Sequence, residues 1–391
     1  MNRKLLNRVV VAIYIDPDFY PPTINGILNM APDTKELIVV TRNNSKDDFP
    51  FPGNVKLLKK GPLMTVRASE QMSTWKKIRS FFSFVYTLLS VTRNGRADMI
   101  VLYDPFPLFA WYLVRPLLSA KTLVWYHNHD MPSIQHMRKY SIGWFAGTRE
   151  RKAMDHIDYF TLPSADRLPF YPWLKKSIPY ATIPNYPSLK HYTKYSPKDL
   201  SGDISVIYQG FVGPGHGIEE LVQLLPETIS GRRLHLVLKG SVTETYKRKV
   251  EELAEKLLVT DRVTWVGISA YAAIRQLTDS CHIGIGIHMN TDQVSKTLGT
   301  ASNKIYEYAA CGLPVILYDI DQFKRYLDKY NWTFFTDGTV AGIRSCLDDI
   351  IPKLPELAPQ ARHDFEQGLN FETAFTDVWH DIKLQYERKR G

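Results

Sequence analysis

Strand-length apolar runs separated by helix-length amphipathic segments recur twice over along this chain, and that alternation most narrows the folds open to it. In the first half the runs fall near Val9–Ile15, Glu36–Thr41, Val55–Leu58, Asp98–Tyr103, Thr122–Tyr126 and Tyr159–Leu162. In the second half they fall near Ser205–Gln209, Leu234–Leu238, Val263–Val266, Ile283–Ile287 and Val315–Tyr318. Continuous apolar runs joined by helical segments are what parallel sheets wound by crossover helices require, because such strands are covered on both faces. The pattern predicts two doubly wound α/β domains, and 391 residues exceed what one hydrophobic core usually serves. The Pro- and Tyr-rich passage from Ile183-Pro184-Asn185 to Tyr195-Ser196-Pro197 reads as the junction. Domains are therefore expected over 1–190 and 191–368, with a closing helix in 369–391 that crosses back onto the first.

Composition excludes several classes. Apolar residues at 44% and charged residues at 23% are ordinary globular usage. The longest apolar stretches, Phe81 to Leu89 and Pro105 to Ala120, fall short of the roughly 18 residues a membrane span needs. The run Val9 to Ile15 follows a basic start and ends in Asp16-Pro17-Asp18, so it reads as a first strand rather than a signal segment. Three widely spaced cysteines, Cys281, Cys311 and Cys346, give neither a disulfide framework nor a zinc cluster, and a cytosolic location is expected. The net charge of +9 is uneven. Residues 1–190 hold 26 basic and 14 acidic side chains, a net +12, whereas 191–391 carry a net −3. The first half is thus expected to meet something anionic.

Ligands of open α/β sheets sit beyond the carboxyl ends of strands, and with two such domains the cleft between them is the expected site. Four segments stand out. In Ser302-Asn303-Lys304-Ile305-Tyr306-Glu307-Tyr308-Ala309-Ala310-Cys311-Gly312-Leu313-Pro314, Ser302 suits an N-cap, Ile305 and Ala309 mark a buried face, Gly312 suits the left-handed C′ position and Pro314 ends the helix. The N-terminus of such a helix, with Lys304 in its first turn, can hold a diphosphate, and Glu307 can accept hydrogen bonds from a ribose. The plain alternative is a capped helix with a solvated Glu. Gly210-Phe211-Val212-Gly213-Pro214-Gly215-His216-Gly217 follows a strand and brings backbone N–H groups close to phosphate oxygens, with His216 a further cation if protonated. Its spacing is neither a dinucleotide fingerprint nor a P-loop. Trp125-Tyr126-His127-Asn128-His129-Asp130 lies at a strand end, and hydrogen bonding of His127, His129 and Asp130 to a polar substrate is preferred there to metal binding. Finally, Trp75, Ile78, Phe82, Val85 and Leu89 share one helical stripe that suits a core, while Phe81, Phe84 and Leu88 widen it and Lys76, Lys77 and Arg79 gather at its start. A basic helix with surplus aromatics suits attachment to an anionic membrane surface, as it equally suits burial.

The run from Ser302 to Ile316 resembles the donor-binding motif of the retaining glycosyltransferases of family four, whose fold is GT-B, and the order of the glycine loop, the His129-Asp130 loop and Ile183-Pro184-Asn185 extends the likeness along most of the chain. The resemblance implies a nucleotide-sugar donor held mostly by the second domain and an acceptor held by the first. Glu307 matches the ribose-binding second glutamate of the family's pair, Ser302 and Asn303 the helix start near the diphosphate, Gly213, Gly215 and Gly217 the loop beside the phosphates, and His129 the histidine that contacts the transferred sugar. The first glutamate of the pair falls at Gly299, and the Arg and Lys of the phosphate clamp fall at Phe211 and His216. Lys304, His216 and Lys239 are the remaining candidates for positive charge.

The expected activity is therefore transfer of a sugar with retention, without metal or other cofactor, to a glycan or lipid-linked acceptor at the inner face of a cell membrane. His129 and Glu307 are its expected catalytic residues, His127 and Asp130 its acceptor-side residues, and Lys76, Lys77 and Arg79 its membrane-facing ones. The rivals are a nucleotide-sugar epimerase of the same fold, a nucleic-acid-directed glucosyltransferase and a non-catalytic nucleotide-sugar binder. The +12 half motivates the nucleic-acid reading, but no recognition-helix pattern accompanies it.

Overall fold

A computed structural model describes residues 6–46, 48–64, 68, 71–129, 137–269, 271–289 and 295–391. The chain divides into two compact units, one of residues 1–184 together with 374–391, the other of residues 185–373. Each is a parallel α/β sheet of the doubly wound kind.

In the first unit the strands are β1 (Leu6–Ile13), β2 (Thr34–Arg42), β3 (Val55–Lys60), β4 (Met99–Tyr103), β5 (Leu123–His127), β6 (Tyr159–Leu162) and β7 (Tyr180–Thr182). They lie in the order β3-β2-β1-β4-β5-β6-β7. The run Val9-Val10-Val11-Ala12-Ile13 is buried at every position because β1 is central and both its faces are covered by helices. The strand order reverses between β1 and β4, where loops diverge and a crevice opens.

The second unit holds β8 (Ile204–Gln209), β9 (Thr228–Ile229), β10 (Arg232–Lys239), β11 (Val263–Gly267), β12 (Ile283–Gly286), β13 (Val315–Tyr318) and β14 (Thr333–Thr336). Its order is β11-β10-β8-β12-β13-β14, with β9 antiparallel to β10. Its reversal lies between β8 and β12. The short strands β7, β9 and β14 add to those expected from apolar runs.

Two glycines fix the helix that matters most in this unit. On β12, a Cβ on Gly284 would sit 2.3 Å from the Tyr308 ring, and one on Gly286 would sit 3.3 Å from Ile305. Their absence lets the helix Asn303–Ala310 press onto the strand through Ile305 and Ala309, both fully buried. The helix closes as a Schellman motif: Gly312, at φ +68°, donates to Ala309 O at 2.9 Å and Leu313 donates to Tyr308 O at 2.9 Å. At the junction, Asn185 is tied to the turn preceding the helix, its N donating to Thr300 O at 3.0 Å and its Nδ2 to Ala301 O at 2.9 Å.

The long helix Phe371–Arg390 begins in the second unit and continues in the first. There Phe375 and Trp379 pack on Trp125, with ring centroids 6.1 and 6.4 Å away. Trp379 Nε1 and Lys383 Nζ both donate to Asp33, at 2.9 and 2.7 Å, and Lys389 pairs with Asp158 at 2.5 Å. The ion pairs are partly exposed and contribute little, so the buried aromatics, worth about 1.5–3 kcal/mol each, hold the helix. Among the described residues no helix is long and apolar enough to cross a membrane.

Candidate functional site

Beyond the carboxyl end of β8 the chain makes a tight glycine loop. Gly210, Gly215 and Gly217 have φ of +122°, +78° and +74°, conformations that favour glycine. A Cβ on Gly210 would lie 3.3 Å from Lys304 Nζ, and one on Gly217 would lie 2.7 Å from Ile287. The loop thereby folds back on its own sheet and sets His216 against Tyr208, rings stacked 5.0 Å apart, and edge-on to His288 at 4.9 Å. Gly213 needs no positive φ, but a side chain there would collide with the Phe211 ring at 2.6 Å.

Lys304, in the first turn of the helix Asn303–Ala310, reaches into the same cluster. Its Nζ lies 3.1 Å from Tyr208 Oη, 3.3 Å from His288 Nε2 and 4.2 Å from the centre of the Tyr208 ring. Burial pushes its pKa down from 10.5 to about 7, against the attraction of Glu307. Burial, then Lys304, lowers His216 to about 4. In these surroundings His216 is an uncharged ring near neutral pH, so it adds a cation only where a bound phosphate raises it, and Lys304 is a titrating ammonium rather than a permanent one. Ser302 occupies the N-cap in extended backbone, at φ −89° and ψ 102°, but makes no side-chain cap bond. Ser302 thus takes the expected N-cap position with its hydroxyl unused, and leaves the first-turn N–H groups without a side-chain cap. Asn303 Oδ1 and His216 Nδ1 are buried there without a hydrogen-bond partner.

Glu307 sits one turn further along, 5% exposed, so a solvated carboxylate is ruled out. It accepts from Gln209 Nε2 at 3.0 Å, and Gln209 Oε1 in turn accepts from Thr278 Oγ1. Burial raises its pKa to about 7, opposed by Lys239, Gln209 and Lys304 in that order. Lys239, at the end of β10 and itself buried, is pulled down by burial and held up by Glu307. The structure therefore brings Gly215, His216, Gly217, Lys239, Ser302, Asn303, Lys304 and Glu307 into one unit around the end of β8.

In the first unit His129 follows β5 and is 2% exposed. Its ring stacks on Tyr103 at 4.8 Å and meets His127 edge-on at 4.4 Å, and both ring nitrogens lack a hydrogen-bond partner. Asp104, at φ +70°, accepts from the His129 N–H at 2.7 Å and places a carboxylate oxygen 3.5 Å from Nδ1. The loop is braced from below by Arg167, which donates to His129 O, and by Asn128 Nδ2, 2.8 Å from Tyr126 Oη, which donates to Glu150. His127 Nδ1 lies 2.7 Å from Thr161 Oγ1, and burial holds this imidazole well below its ordinary pKa. Asp130 lies outside the described residues.

The helix Thr74–Asn94 departs from the expected stripe. Phe81, Phe84, Val85 and Leu88 are buried, whereas Trp75, Phe82 and Tyr86 are 78%, 57% and 72% exposed. Lys76 and Arg79 are exposed and Lys77 is half-buried. Tyr208, Gln209, His288 and Asp104 were not singled out by sequence. Each ends or closely follows a strand, which is the signal that locates them.

Residues 198–351 match the family model described as glycosyl transferases group 1. No curated protein matches the chain by sequence at a significant level. Among solved structures, sucrose-phosphate synthase from Thermosynechococcus elongatus is 14% identical at a TM-score of 0.69, covering 98% of this chain and 100% of that one. HepE of Anabaena, in complex with UDP and glucose, is 15% identical at a TM-score of 0.65, covering 97% and 100%. WaaG, a glycosyltransferase involved in lipopolysaccharide biosynthesis, is 13% identical at a TM-score of 0.61, covering 95% and 98%. The fold is that of the GT-B enzymes, and the matched segment together with these structures supports a glycosyltransferase.

Proposed function

We propose that this glycosyltransferase binds a nucleotide sugar in its second unit and transfers the sugar, with retention and without a metal, to a glycan or lipid-linked acceptor held by its first. The observation that carries the reading is the placement of Lys304 Nζ beside Tyr208 and His288 at the open start of a helix whose buried Glu307 lies one turn on. A diphosphate seated there meets the helix N-terminus, the glycine-loop N–H groups and an ammonium that its own charge keeps protonated. Glu307 then accepts from the ribose hydroxyls. HepE with UDP and with UDP-glucose supports this class of donor, and WaaG supports an envelope glycan as acceptor.

In the transfer the bond from the sugar C1 to the diphosphate oxygen breaks and a bond from the acceptor oxygen to C1 forms on the same face. The acceptor's proton passes to the departing phosphate oxygen. Fixed dipoles and Lys304 stabilise the charge that develops on that oxygen. His129, held by Tyr103 and Asp104, orients sugar or acceptor. The basic first unit and the exposed aromatics of Thr74–Asn94 support a peripheral attachment to an anionic membrane surface.

The test is a thermal-shift panel of nucleoside diphosphates and nucleotide sugars on the wild type and Glu307→Gln. A ligand at 100 times its dissociation constant stabilises by about 2.7 kcal/mol. A shift with UDP or UDP-glucose that Glu307→Gln weakens by roughly 10- to 100-fold in affinity is expected, since hydrogen bonds to a charged group contribute about 1.5–3 kcal/mol. No shift with any nucleotide overturns the reading.

A further inference from the structure

At the other reversal point, beyond β1 and β4, the first unit holds a cavity of about 900 Å³. Small-molecule sites span roughly 300–1,000 Å³, so this one admits a sizeable ligand. Its wall is aromatic and aliphatic. Tyr14 and Phe106 stack with ring centroids 5.1 Å apart and planes 9° apart, joined by Tyr20, Ile78 and Ile142. Among the described residues, the cations Arg42, Lys77, Arg138 and Lys139 line it, against the carboxylate of Asp104. Arg42 lies 5.1 Å from the centre of the Tyr14 ring, so charge and aromatic surface adjoin.

The cavity continues onto an exposed surface. Thr74, Lys77 and Ile78, from the first turns of the helix Thr74–Asn94, form part of its lining. The same helix turns Trp75, Arg79, Phe82 and Tyr86 outward, spaced by four, three and four residues and therefore on one face. Exposed aromatic rings interleaved with Arg on one helical face are the chemistry of a bilayer interface, where the rings enter the acyl boundary and the guanidinium meets phosphate. A cavity that is apolar within, cationic in its lining and open beside such a face is complementary to an anionic amphiphile. It is too apolar for a free sugar phosphate alone.

We propose that this cavity binds a phosphate-bearing lipid, its hydrocarbon against Tyr14, Phe106 and Ile142 and its phosphate against Arg42, Lys77, Arg138 and Lys139, passed in from the membrane on which the aromatic face rests. The inference builds on the reading of the first unit as the acceptor side and names the acceptor's class: a lipid phosphate or diphosphate, bare or already carrying sugars.

The full chain is titrated with farnesyl phosphate below its critical micelle concentration, and separately with farnesol, inorganic phosphate and glucose 1-phosphate. UDP, titrated on the same samples, reports the second unit independently. Farnesyl phosphate is expected to bind at least tenfold more tightly than the other three. Reversing the exposed pair, Arg138→Glu with Lys139→Glu, is expected to weaken it by roughly tenfold or more, each charge near an anionic lipid counting for about fivefold. Ile142→Glu is expected to remove the advantage of the hydrocarbon. Equal binding of all four probes, tighter binding of glucose 1-phosphate, or indifference to the charge reversal overturns the proposal. Failure of farnesyl phosphate with UDP still bound removes the lipid site and leaves the donor reading. Failure of UDP with farnesyl phosphate bound removes the donor reading and leaves the lipid site.

Discussion

The two sheets reverse their strand order in the same way and yet end in sites of opposite character. Beyond β8 and β12 the polar groups themselves are buried or half-buried: Lys304, Glu307, Lys239, Gln209, His216 and His288 touch one another or feel one another's charge. Beyond β1 and β4 the buried surface is aromatic, and the cations Arg138 and Lys139 stand exposed. Topology decides where a ligand sits, and the few residues following each strand decide what it is. Net charge misleads on this point. The half with net −3 keeps its two relevant ammonium groups inside, where each is expensive to charge until an anion arrives. The half with net +12 spreads charge on its surface, where it attracts without specificity.

The strongest way to break this contrast is Lys304→Met, which keeps the length of the side chain and removes the ammonium. If the second site works by holding a cation for the departing phosphate, kcat falls by about 10²–10³, as when a fixed donor to a developing oxyanion is removed. Thermal stability in the absence of ligand is expected to stay level or rise, because a half-buried ammonium pushed down to about pKa 7 is disfavoured by burial. Retention of kcat within threefold removes Lys304 from the chemistry.

That opposition between activity and stability was not legible in the sequence. The helix itself was: Ile305 and Ala309 at helical spacing, Gly312 and Pro314 at its end, and the glycines of β12 are local signals, and each has a local structural consequence. The protonation states were not, because they depend on Tyr208 and His288 arriving from strands far apart in the chain. The condition on His216, a cation only if protonated, is set by burial, which lowers it to about 4. The helix Thr74–Asn94 failed for a different reason. Both of its faces carry aromatics at helical spacing, and the choice is made by Tyr14, whose ring meets Phe84 at 5.1 Å and Phe81 at 5.8 Å and draws that face inward. Ser302 is a good cap by residue type, yet its side chain is left unused at a helix start that faces the expected ligand.

A smaller effect sharpens the contrast through pH. Lys304 is lowered from 10.5 to about 7, so between those values the unfolded chain holds a proton that the folded chain has lost, and its contribution to stability rises with pH over that window. Glu307 is raised from 4.5 to about 7, so from pH 4.5 to 7 the folded chain holds the extra proton and stability falls as pH rises. The pair together gives unliganded stability a minimum near pH 7. A bound diphosphate reverses the preference of Lys304. Nucleoside diphosphate affinity is expected to fall by up to about tenfold per pH unit above 7, because a proton must be taken up with the ligand. Calorimetric titration in buffers of different ionisation enthalpy measures that uptake. No proton uptake at pH 8 shows that Lys304 does not face the ligand's charge.

The smallest effect separates the two faces of the helix Thr74–Asn94. Trp75 and Phe82 are mostly exposed, so Trp75→Ser with Phe82→Ser should leave the melting temperature within the ordinary range of surface changes, about 0.5 kcal/mol per site. Phe81, 2% exposed on the opposite face, should cost about 3–5 kcal/mol when truncated to Ala. Sedimentation with anionic vesicles at low salt then reads the outer face alone. The double variant is expected to bind vesicles about five- to tenfold less well, since interfacial attachment scales with buried apolar area as well as charge. If salt abolishes binding while the double variant binds like wild type, attachment is purely electrostatic and the aromatic face has another partner. If binding falls with the aromatics removed and every cation retained, the exposed rings, rather than the +12 of the first half, give the contact its hold on the bilayer.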